Sequence, residues 1–256
     1  MRVMLPRTPS FRVDGRRALV TGAGRGLGAA SAAALAQAGA HVTLVARSLE
    51  QLDSVAAEIR AQGGQAAVLP LDVTQSARVT EAVARHGPFD ILVNNAGINR
   101  PSLITDMQDA DYEAVMDLNV KATLFVTREV ARGLIAAGRP GSIITMSSQM
   151  GHVGGSRRAL YCASKHAVEG MTKALAWEFG PRGIRINTIC PTFIETAMTA
   201  KMLADPEFSE YVHARIALGR IGQLSDVMGA VVFLASDASA MVTGSALMVD
   251  GGWTAA

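Results

Sequence analysis

Short apolar runs alternate with helical patterns along almost the whole chain, and this alternation restricts the possible folds more than any other feature. Several of the apolar runs are nearly continuous Val, Ile and Leu, which is typical of parallel strands covered on both faces. The seven predicted strands cover residues 18–21, 42–46, 67–71, 89–93, 142–146, 184–189 and 246–249. Their order predicts an α/β fold with one doubly wound parallel sheet and helices on both of its faces.

Six helices are predicted between the strands, and local signals mark their ends. Gly39 and Gly138 are suited to ending helices, and Gly180-Pro181 is expected to end a third. The segment 48–51 matches a capping box, and Thr74 is expected to cap the next helix. The predicted helices cover 27–38, 74–86, 106–137, 158–179 and 224–235, with a further one starting after residue 48.

The segment 191–222 contains no clear strand. We expect it to be a lid over an active site, because connections of that length in a compact domain are usually functional. No linker, low-complexity stretch or repeat divides the chain. Residues 1–256 are therefore predicted to form a single domain.

The composition excludes several classes of protein. The chain is 49% hydrophobic with a net charge of +2, which excludes disorder as its main state. Its basic residues form no run longer than a pair, so no nucleic-acid partner is expected. The start lacks the apolar core of a signal peptide, and the uncharged span between Arg25 and Arg47 is too weakly apolar for a membrane helix.

The cysteines, histidines and charged residues give three further expectations. The two cysteines, Cys162 and Cys190, favour a reducing, cytoplasmic compartment over a disulfide scaffold. The five histidines show no metal-ligand spacing, so no metal is expected. Only 18% of the residues are charged, against roughly 25% in an average soluble domain. Part of the surface is therefore expected to be buried against another copy of the chain.

A glycine-rich turn follows the first predicted strand. Glycines allow a tight turn, a close approach of the backbone to a pyrophosphate, and close packing of the helix on the strand. The helix that follows would offer its free N–H groups to the anion. The turn predicts a Rossmann-type nucleotide site with the candidate residues Gly22, Gly24, Arg25, Gly26, Leu27 and Gly28.

The residues after the second strand indicate which nucleotide binds. A free ribose 2′-hydroxyl usually meets Asp or Glu there, whereas a 2′-phosphate needs cations. This chain has Arg47 at that place, with no acidic residue before Glu50, and Arg25 lies in the glycine turn. Two guanidinium groups can hold a phosphate, so NADP is favoured and NAD stays open as the alternative.

Polar and small residues also follow the third and fourth strands. Asp72 and Val73 end the third, where a carboxylate could reach the adenine amino group. Asn94, Ala96 and Gly97 end the fourth. Ligands of open α/β sheets bind at the carboxyl ends of the strands, so these residues are further cofactor candidates.

A tyrosine and a lysine at the start of the fifth predicted helix are the catalytic candidates. Tyr161 and Lys165 are four residues apart and therefore share one helix face. A free tyrosine has a pKa of about 10, and a nearby ammonium would favour the phenolate, so the pair could supply a general acid and base. Ser148, after the fifth strand, could hold the reacting oxygen.

Together these motifs resemble the short-chain dehydrogenase/reductase family from about residue 12 to the end, including 3-oxoacyl-carrier-protein reductases and polyol or glucose dehydrogenases. The resemblance implies hydride transfer between a nicotinamide and a carbonyl or secondary alcohol carbon, with Tyr161 as the acid and base. Lys165 would bind the nicotinamide ribose and lower the Tyr161 pKa, and Asn119 would hold a water. Tyr161 and Lys165 would thus also contact the cofactor, together with Pro191, Ile194 and Thr196.

The resemblance also implies a homotetramer that buries the two long helices and the carboxyl-terminal strand. One position departs from the family, since Thr192 replaces the usual glycine and implies a negative φ at that residue. The substrate class stays open between an acyl carrier and a sugar or polyol, and His152 could contact it. The other candidates for substrate contact are Asn99, Gln149, Met150, Val153, Phe193 and Met198.

Two other functions remain as alternatives. The first is an NAD-linked sugar or polyol dehydrogenase, which would share the fold and the catalytic residues. The second is a protein that binds the nucleotide without turnover. Loss of the tyrosine or the lysine would indicate that second function, and both Tyr161 and Lys165 are present.

Overall fold

The protein was analysed as a computed structural model, and the structure describes residues 5–255, without the side chains of residues 197, 198 and 201. The candidate Met198 therefore lies outside the described side chains. Seven parallel strands form one sheet in the order β3-β2-β1-β4-β5-β6-β7. The strands are β1 (Arg17–Thr21), β2 (His41–Ala46), β3 (Gln65–Pro70), β4 (Ile91–Asn94), β5 (Gly141–Met146), β6 (Ile184–Pro191) and β7 (Ala246–Val249).

Nine α-helices occur in the described part of the chain. They are α1 (Gly26–Gln37), α2 (Leu49–Ala61), α3 (Ser76–His86), α4 (Asp109–Met116), α5 (Thr123–Ala136), α6 (Ala159–Phe179), α7 (Ala197–Leu203), α8 (Pro206–His213) and α9 (Leu224–Ala235). None of the helices in residues 5–255 has both the length and the hydropathy needed to span a bilayer.

Helices cover both faces of the sheet, as the sequence predicts. Val20 and Leu19 are neighbours on β1 and point to opposite faces, because side chains alternate along a strand. Val20 packs in a cluster with residues of α1, α2 and α9. Leu19 packs in a second cluster with residues of α3, α5 and α6. The prediction of a doubly wound α/β sheet is confirmed, and it brings the ends of β1, β4, β5 and β6 to one edge.

The predicted helix over 106–137 is wrong, because the structure breaks it. A 3-10 turn occupies Ile104–Asp106, α4 and α5 follow, and a π-helical turn over Asp117–Ala122 lies between those two helices. Periodicity could not reveal the break, since a π turn inserts only one extra residue into a continuing helical pattern.

One predicted helix signal is also wrong. Thr74 does not cap α3, because its hydroxyl donates to Asp72 at 2.7 Å and the helix starts after Gln75. The end of α6 agrees with the prediction, since Gly180 is its C-cap residue; a 3-10 turn follows, and Gly183, with φ +72°, makes the left-handed turn into β6. Ser48 does cap α2, accepting a hydrogen bond from the Gln51 amide at 3.3 Å.

The predicted lid segment holds α7 and α8 rather than an irregular loop. Its two ends are joined, because Glu195 donates its amide hydrogen to Gly222 and Gly222 donates to Phe193. Phe193, Val212 and Ile216 form a small apolar cluster inside the segment, with Phe208 and Trp253 packed against it. The segment therefore has a core separate from the two faces of the sheet.

Candidate active site

The turn between β1 and α1 has a shape that only glycine permits. A Cβ atom at Gly28 would lie 2.1 Å from the Gly22 carbonyl oxygen, and one at Gly22 would lie 2.8 Å from the side-chain Nδ2 atom of Asn95. Gly26 has φ +56°, in the region that side chains rarely adopt. The first residues of α1 also lack a side-chain cap. The turn thus leaves free N–H groups at a helix N-terminus, which suits a pyrophosphate.

Hydrogen bonds from the β4 end fix this turn. Thr21 Oγ1 accepts from the backbone amides of Asn95 and Ala96, at 3.0 and 3.2 Å. The Asn95 side chain donates to the carbonyls of Thr21 and Gly22. Asn94 points the other way and donates to Thr127 at 2.9 Å, so only its backbone faces the cofactor side. Asn95 is a functional position that sequence reasoning missed, although it adjoins Asn94 in the same motif.

Two exposed arginines near the end of β2 have no carboxylate partner among the described residues. Arg25 and Arg47 are exposed, and neither forms an ion pair with any carboxylate in the described part of the chain. Burial raises the pKa of Asp72, but hydrogen bonds from Thr74 and the charges of Arg47 and Arg78 lower it by more. Arg47 and Asp72 therefore border the same place, at the ends of β2 and β3.

The start of the lid lies against the glycine turn. A Cβ atom at Gly26 would lie 3.8 Å from the Thr196 methyl group, and Thr196 caps α7. Ile194 has its side chain in the core and forms a bridge with Gly222, so only its backbone can meet a cofactor. Pro191 ends β6, Leu27 packs on the core, and Val73 is buried.

Asn119 lies in the π-helical turn and joins two parts of the site. Its Oδ1 accepts from the Ile98 amide at 2.9 Å, and its Nδ2 donates to the Ile98 carbonyl and to Ser164. Ser164 directly precedes Lys165 on α6. A Cβ atom at Gly97 would lie 3.2 Å from Asn119 Oδ1, so glycine admits this contact. Asn119 therefore ties the loop after β4 to the helix that carries Lys165.

Ser148, Tyr161 and Lys165 meet at the ends of β5 and α6. Burial raises the pKa of Tyr161 to about 12, while the Ser148 hydroxyl and the Arg158 charge lower it. Lys165 is buried and donates to the Met146 carbonyl at 2.8 Å. Burial lowers the Lys165 pKa to about 8. The Lys165 nitrogen lies 5.6 Å from the centre of the Tyr161 ring.

In the protein alone the Tyr161 pKa is shifted upward by burial, opposite to the direction expected from the nearby ammonium. The Lys165 ammonium donates to the carbonyl of Met146. In the protein alone Tyr161 is therefore a protonated phenol. That state suits the donation of a proton to a carbonyl oxygen.

A second group of polar side chains lies one helical turn beyond Lys165. Glu169 accepts hydrogen bonds from the Thr188 hydroxyl at 3.0 Å and the Cys190 thiol at 3.3 Å. His152 Nε2 lies 3.6 Å from Glu169 and 3.5 Å from Cys190. His152 thus faces this cluster, and its contact with the substrate stays a hypothesis. The histidine count did not suggest such a grouping, because the other two members are a cysteine and a glutamate.

Arg158 is the other position that sequence reasoning missed. It lies at the start of α6, three residues before Tyr161, and is 9% exposed. Its guanidinium donates to the Met202 sulfur of α7 at 3.1 Å. The signal in the sequence is an arginine one helical turn ahead of the candidate Tyr161.

The fold and these residues define a nicotinamide-dependent oxidoreductase, and comparisons with known proteins agree. A family model described as enoyl-(acyl carrier protein) reductase matches residues 22–254. A gluconate 5-dehydrogenase of Gluconobacter oxydans is 42% identical over 95% of this chain and 96% of its own. A D-erythrulose reductase of Gallus gallus is 41% identical over 96% of this chain and 98% of its own.

A solved structure is similar over the same length. It is a gluconate 5-dehydrogenase from Burkholderia cenocepacia, in complex with NADP and tartrate, with a TM-score of 0.92 and 39% identity over 96% of this chain and 98% of that one. The chain therefore belongs to the short-chain dehydrogenase/reductase family. Its reaction is the interconversion of a ketone and a secondary alcohol.

Proposed function

We propose that the chain is an NADP-dependent reductase of small polyhydroxylated ketones that also catalyses the reverse oxidation. The observation that carries the substrate class is a set of buried polar atoms in the segments that follow β4, β5 and β6. Asn99 Oδ1, Gln149 Nε2 and Thr192 Oγ1 have no hydrogen-bond partner among the described residues. They follow the ends of β4, β5 and β6, around one edge of the sheet.

Unpartnered buried polar atoms are rare in folded proteins, and each costs free energy until it is satisfied. A substrate with several hydroxyl groups would supply the missing partners. An acyl chain would not, although the matching family model carries an acyl-carrier description. The gluconate and erythrulose enzymes among the relatives act on polyhydroxylated compounds, which favours the same class here.

The chain's own residues account for the proton and the orientation of the substrate. Tyr161 donates its phenolic proton to the carbonyl oxygen during reduction and takes it back during oxidation. Ser148 holds that oxygen through its hydroxyl. Lys165, fixed by Met146, lies behind the phenol and binds the nicotinamide ribose. The bound cofactor supplies or accepts the hydride.

The residues at the nucleotide edge fit NADP. The glycine turn has no room for side chains at Gly22 and Gly28, and its free N–H groups suit the pyrophosphate. Arg25 and Arg47 would hold the 2′-phosphate, and Asp72 with Val73 would border the adenine. The remaining proposed cofactor contacts are Gly24, Gly26, Leu27, Asn94, Ala96, Gly97, Tyr161, Lys165, Pro191, Ile194 and Thr196.

Loss of NADPH absorbance with erythrulose as substrate tests the reaction. Tyr161→Phe removes only the hydroxyl, so we expect turnover to fall by roughly 1,000-fold, with NADPH affinity unchanged. Equal turnover in parent and variant would refute the role of Tyr161. Tight binding of NADPH without turnover of any ketone would favour a protein that only binds the nucleotide.

The cofactor preference has its own test in Arg47→Asp. Replacing the cation by a carboxylate should repel the 2′-phosphate and suit a free 2′-hydroxyl, so NADPH affinity should fall and NADH affinity should rise. Exposed Arg60 on α2 offers a control, Arg60→Gln, that alters charge away from the pocket. Tighter NADH than NADPH binding by the parent would overturn the NADP assignment and favour NAD-linked oxidation.

We also propose that the chain forms a homotetramer, and its cytoplasmic location remains a prediction. Trp177 on α6 and Met241 before β7 are 86% and 99% exposed, and both lie in the regions expected to be buried between copies. Large exposed apolar side chains at such positions favour association. Light scattering after size exclusion should give four times the chain mass, and a monomer would refute the proposal.

A further inference from the structure

Arg158 is a buried cation without a charged partner. No carboxylate among the described side chains lies within ion-pair distance of it. Its one side-chain hydrogen bond in the described part of the chain goes to the Met202 sulfur, and sulfur is a weak acceptor. The other guanidinium N–H groups form no hydrogen bond with the described residues, so they are available to a ligand.

The position of Arg158 on α6 makes its charge still less favourable. Arg158 is the N-cap residue, immediately before this helix of 21 residues. The N-terminal end of a helix carries partial positive charge, which repels a cation and attracts an anion. An anion bound here would be stabilised by both the helix end and the guanidinium.

Arg158 faces the substrate side of the site. Its Cγ atom lies 3.3 Å from the position of a Cβ atom at Gly155, in the loop after Ser148, and its guanidinium reaches Met202 of the lid. Tyr161 comes one turn later on the same helix. Arg158 is close enough for its charge to lower the Tyr161 pKa, against the larger effect of burial. The guanidinium therefore contacts the lid and comes one helical turn before Tyr161.

The chemistry of the neighbours selects the kind of anion. A single planar guanidinium matches the two oxygens of a carboxylate. The unpartnered atoms after the ends of β4, β5 and β6, on Asn99, Gln149 and Thr192, are neutral and suit hydroxyl groups rather than a second negative charge. His152 is turned toward Glu169 and adds no cation.

We propose that Arg158 binds the carboxylate of the substrate, which makes the substrate a polyhydroxylated acid rather than a neutral polyol. This inference rests on the proposed function, since the acid must present its ketone or secondary alcohol to Tyr161. It assigns Arg158 as the specificity-determining residue of the site.

Binding calorimetry on the full protein saturated with NADPH tests the assignment. Gluconate and glucitol share a six-carbon polyhydroxylated chain. They differ at one end, where gluconate has a carboxylate and glucitol has a CH₂OH group. With NADPH bound, neither alcohol turns over, so binding is measured alone. We expect gluconate to bind roughly 100-fold more tightly than glucitol, as for a buried charge pair. Arg158→Gln should remove that difference and leave glucitol and NADPH affinities unchanged.

Two further variants keep the test decisive. Arg157→Asn removes the neighbouring exposed charge and tolerates the left-handed φ of +61° at that residue, so its preference for gluconate should stay. Arg158→Leu keeps an apolar stem and serves if the glutamine variant fails to fold. Equal affinity of the parent for gluconate and glucitol, or binding of neither, would overturn the assignment.

The remaining outcomes separate the two proposals. Tighter binding of glucitol 6-phosphate than of gluconate would replace the carboxylate by a phosphate ester and overturn the inference. Turnover of neutral ketones with no effect of Arg158→Gln on any acid would overturn the inference and leave the proposed function intact. Gluconate binding that needs Arg158, without turnover of any ketone, would uphold the inference and refute the proposed function.

Discussion

Two buried charges lie on either side of the Tyr161–Lys165 pair on α6, and their surroundings differ. Glu169, one turn beyond Lys165, accepts hydrogen bonds from Thr188 and Cys190 and faces His152. Arg158, one turn before Tyr161, has only the Met202 sulfur. Both side chains are at least nine-tenths buried, so burial alone does not distinguish them.

The difference separates a structural charge from a charge held ready for a ligand. A buried charge with its hydrogen bonds satisfied supports the fold, because removing it leaves its hydrogen-bond partners buried and unsatisfied. A buried charge without partners costs stability and persists because binding needs it. The end of α6 near the lid is therefore the binding end, and the end beyond Lys165 is the supporting end.

The largest effect on stability is expected from removing the Glu169 carboxylate, whose hydrogen bonds are satisfied. Glu169→Ala would leave the Thr188 hydroxyl and the Cys190 thiol without their acceptor, and we expect it to lower the free energy of unfolding by about 3 kcal/mol. Urea denaturation measures this. Glu178→Ala, at an exposed position of the same helix, should change it by less than about 0.5 kcal/mol. Equal effects at the two positions would remove the supporting role of Glu169.

Removing the Arg158 charge is expected to change the free energy of unfolding in the opposite direction. Arg158→Leu keeps an apolar side chain at the site and removes a buried cation from a helix N-terminus, so the free energy of unfolding should rise by about 1 kcal/mol. The same denaturation experiment measures it. A loss of stability as large as that of Glu169→Ala would mean that Arg158 has structural partners, and the comparison would fail.

A smaller effect of the same kind is expected at Thr192. Its hydroxyl is unpartnered, so the isosteric Thr192→Val should raise the free energy of unfolding by about 0.5 kcal/mol. The same variant should weaken the binding of polyhydroxylated substrates, because one hydrogen bond to them is lost. A stability loss in Thr192→Val would show instead that the hydroxyl is satisfied within the protein.

The smallest effect concerns pH. Burial raises the pKa of Tyr161 to about 12, and the Arg158 charge is among the groups that lower it. Oxidation of an alcohol needs the phenolate, so its rate rises with pH toward that pKa. Removing the Arg158 charge raises the Tyr161 pKa and should move the rising limb to higher pH. The pH dependence of kcat/KM for glucitol oxidation, measured in Arg158→Leu and Arg157→Asn, tests this expectation. A shift of the rising limb in Arg157→Asn alone would contradict it.

Most of the sheet could be predicted from the sequence. Each of the seven runs lies in an observed strand or overlaps one, because continuous Val, Ile and Leu have few alternatives to a buried parallel strand. The breaks inside 106–137 and the cap of α3 could not be predicted. The breaks depend on the π turn over Asp117–Ala122, which contains Asn119. The cap of α3 is lost because the Thr74 hydroxyl donates to Asp72 instead.

The candidate site divides in the same way. Residues carried by ordered motifs, such as Ser148, Tyr161 and Lys165, are brought together by the fold as expected. In the protein alone the Tyr161 pKa shifts opposite to the expected direction, because sequence gives spacing along α6 but not burial. Arg158 and Glu169 were missed for a related reason, since their importance lies in which partners surround them.

The lid is closed at its base by backbone hydrogen bonds between Phe193, Glu195 and Gly222. An excursion whose ends are already joined adds little entropy cost when its length or sequence changes. Substitutions within α8 should therefore disturb the sheet little, whereas α7 remains coupled to the site through the contact of Met202 with Arg158. A new substrate range could be introduced by exchanging residues 197–221 between relatives, which keeps Thr196 and its contact with the glycine turn.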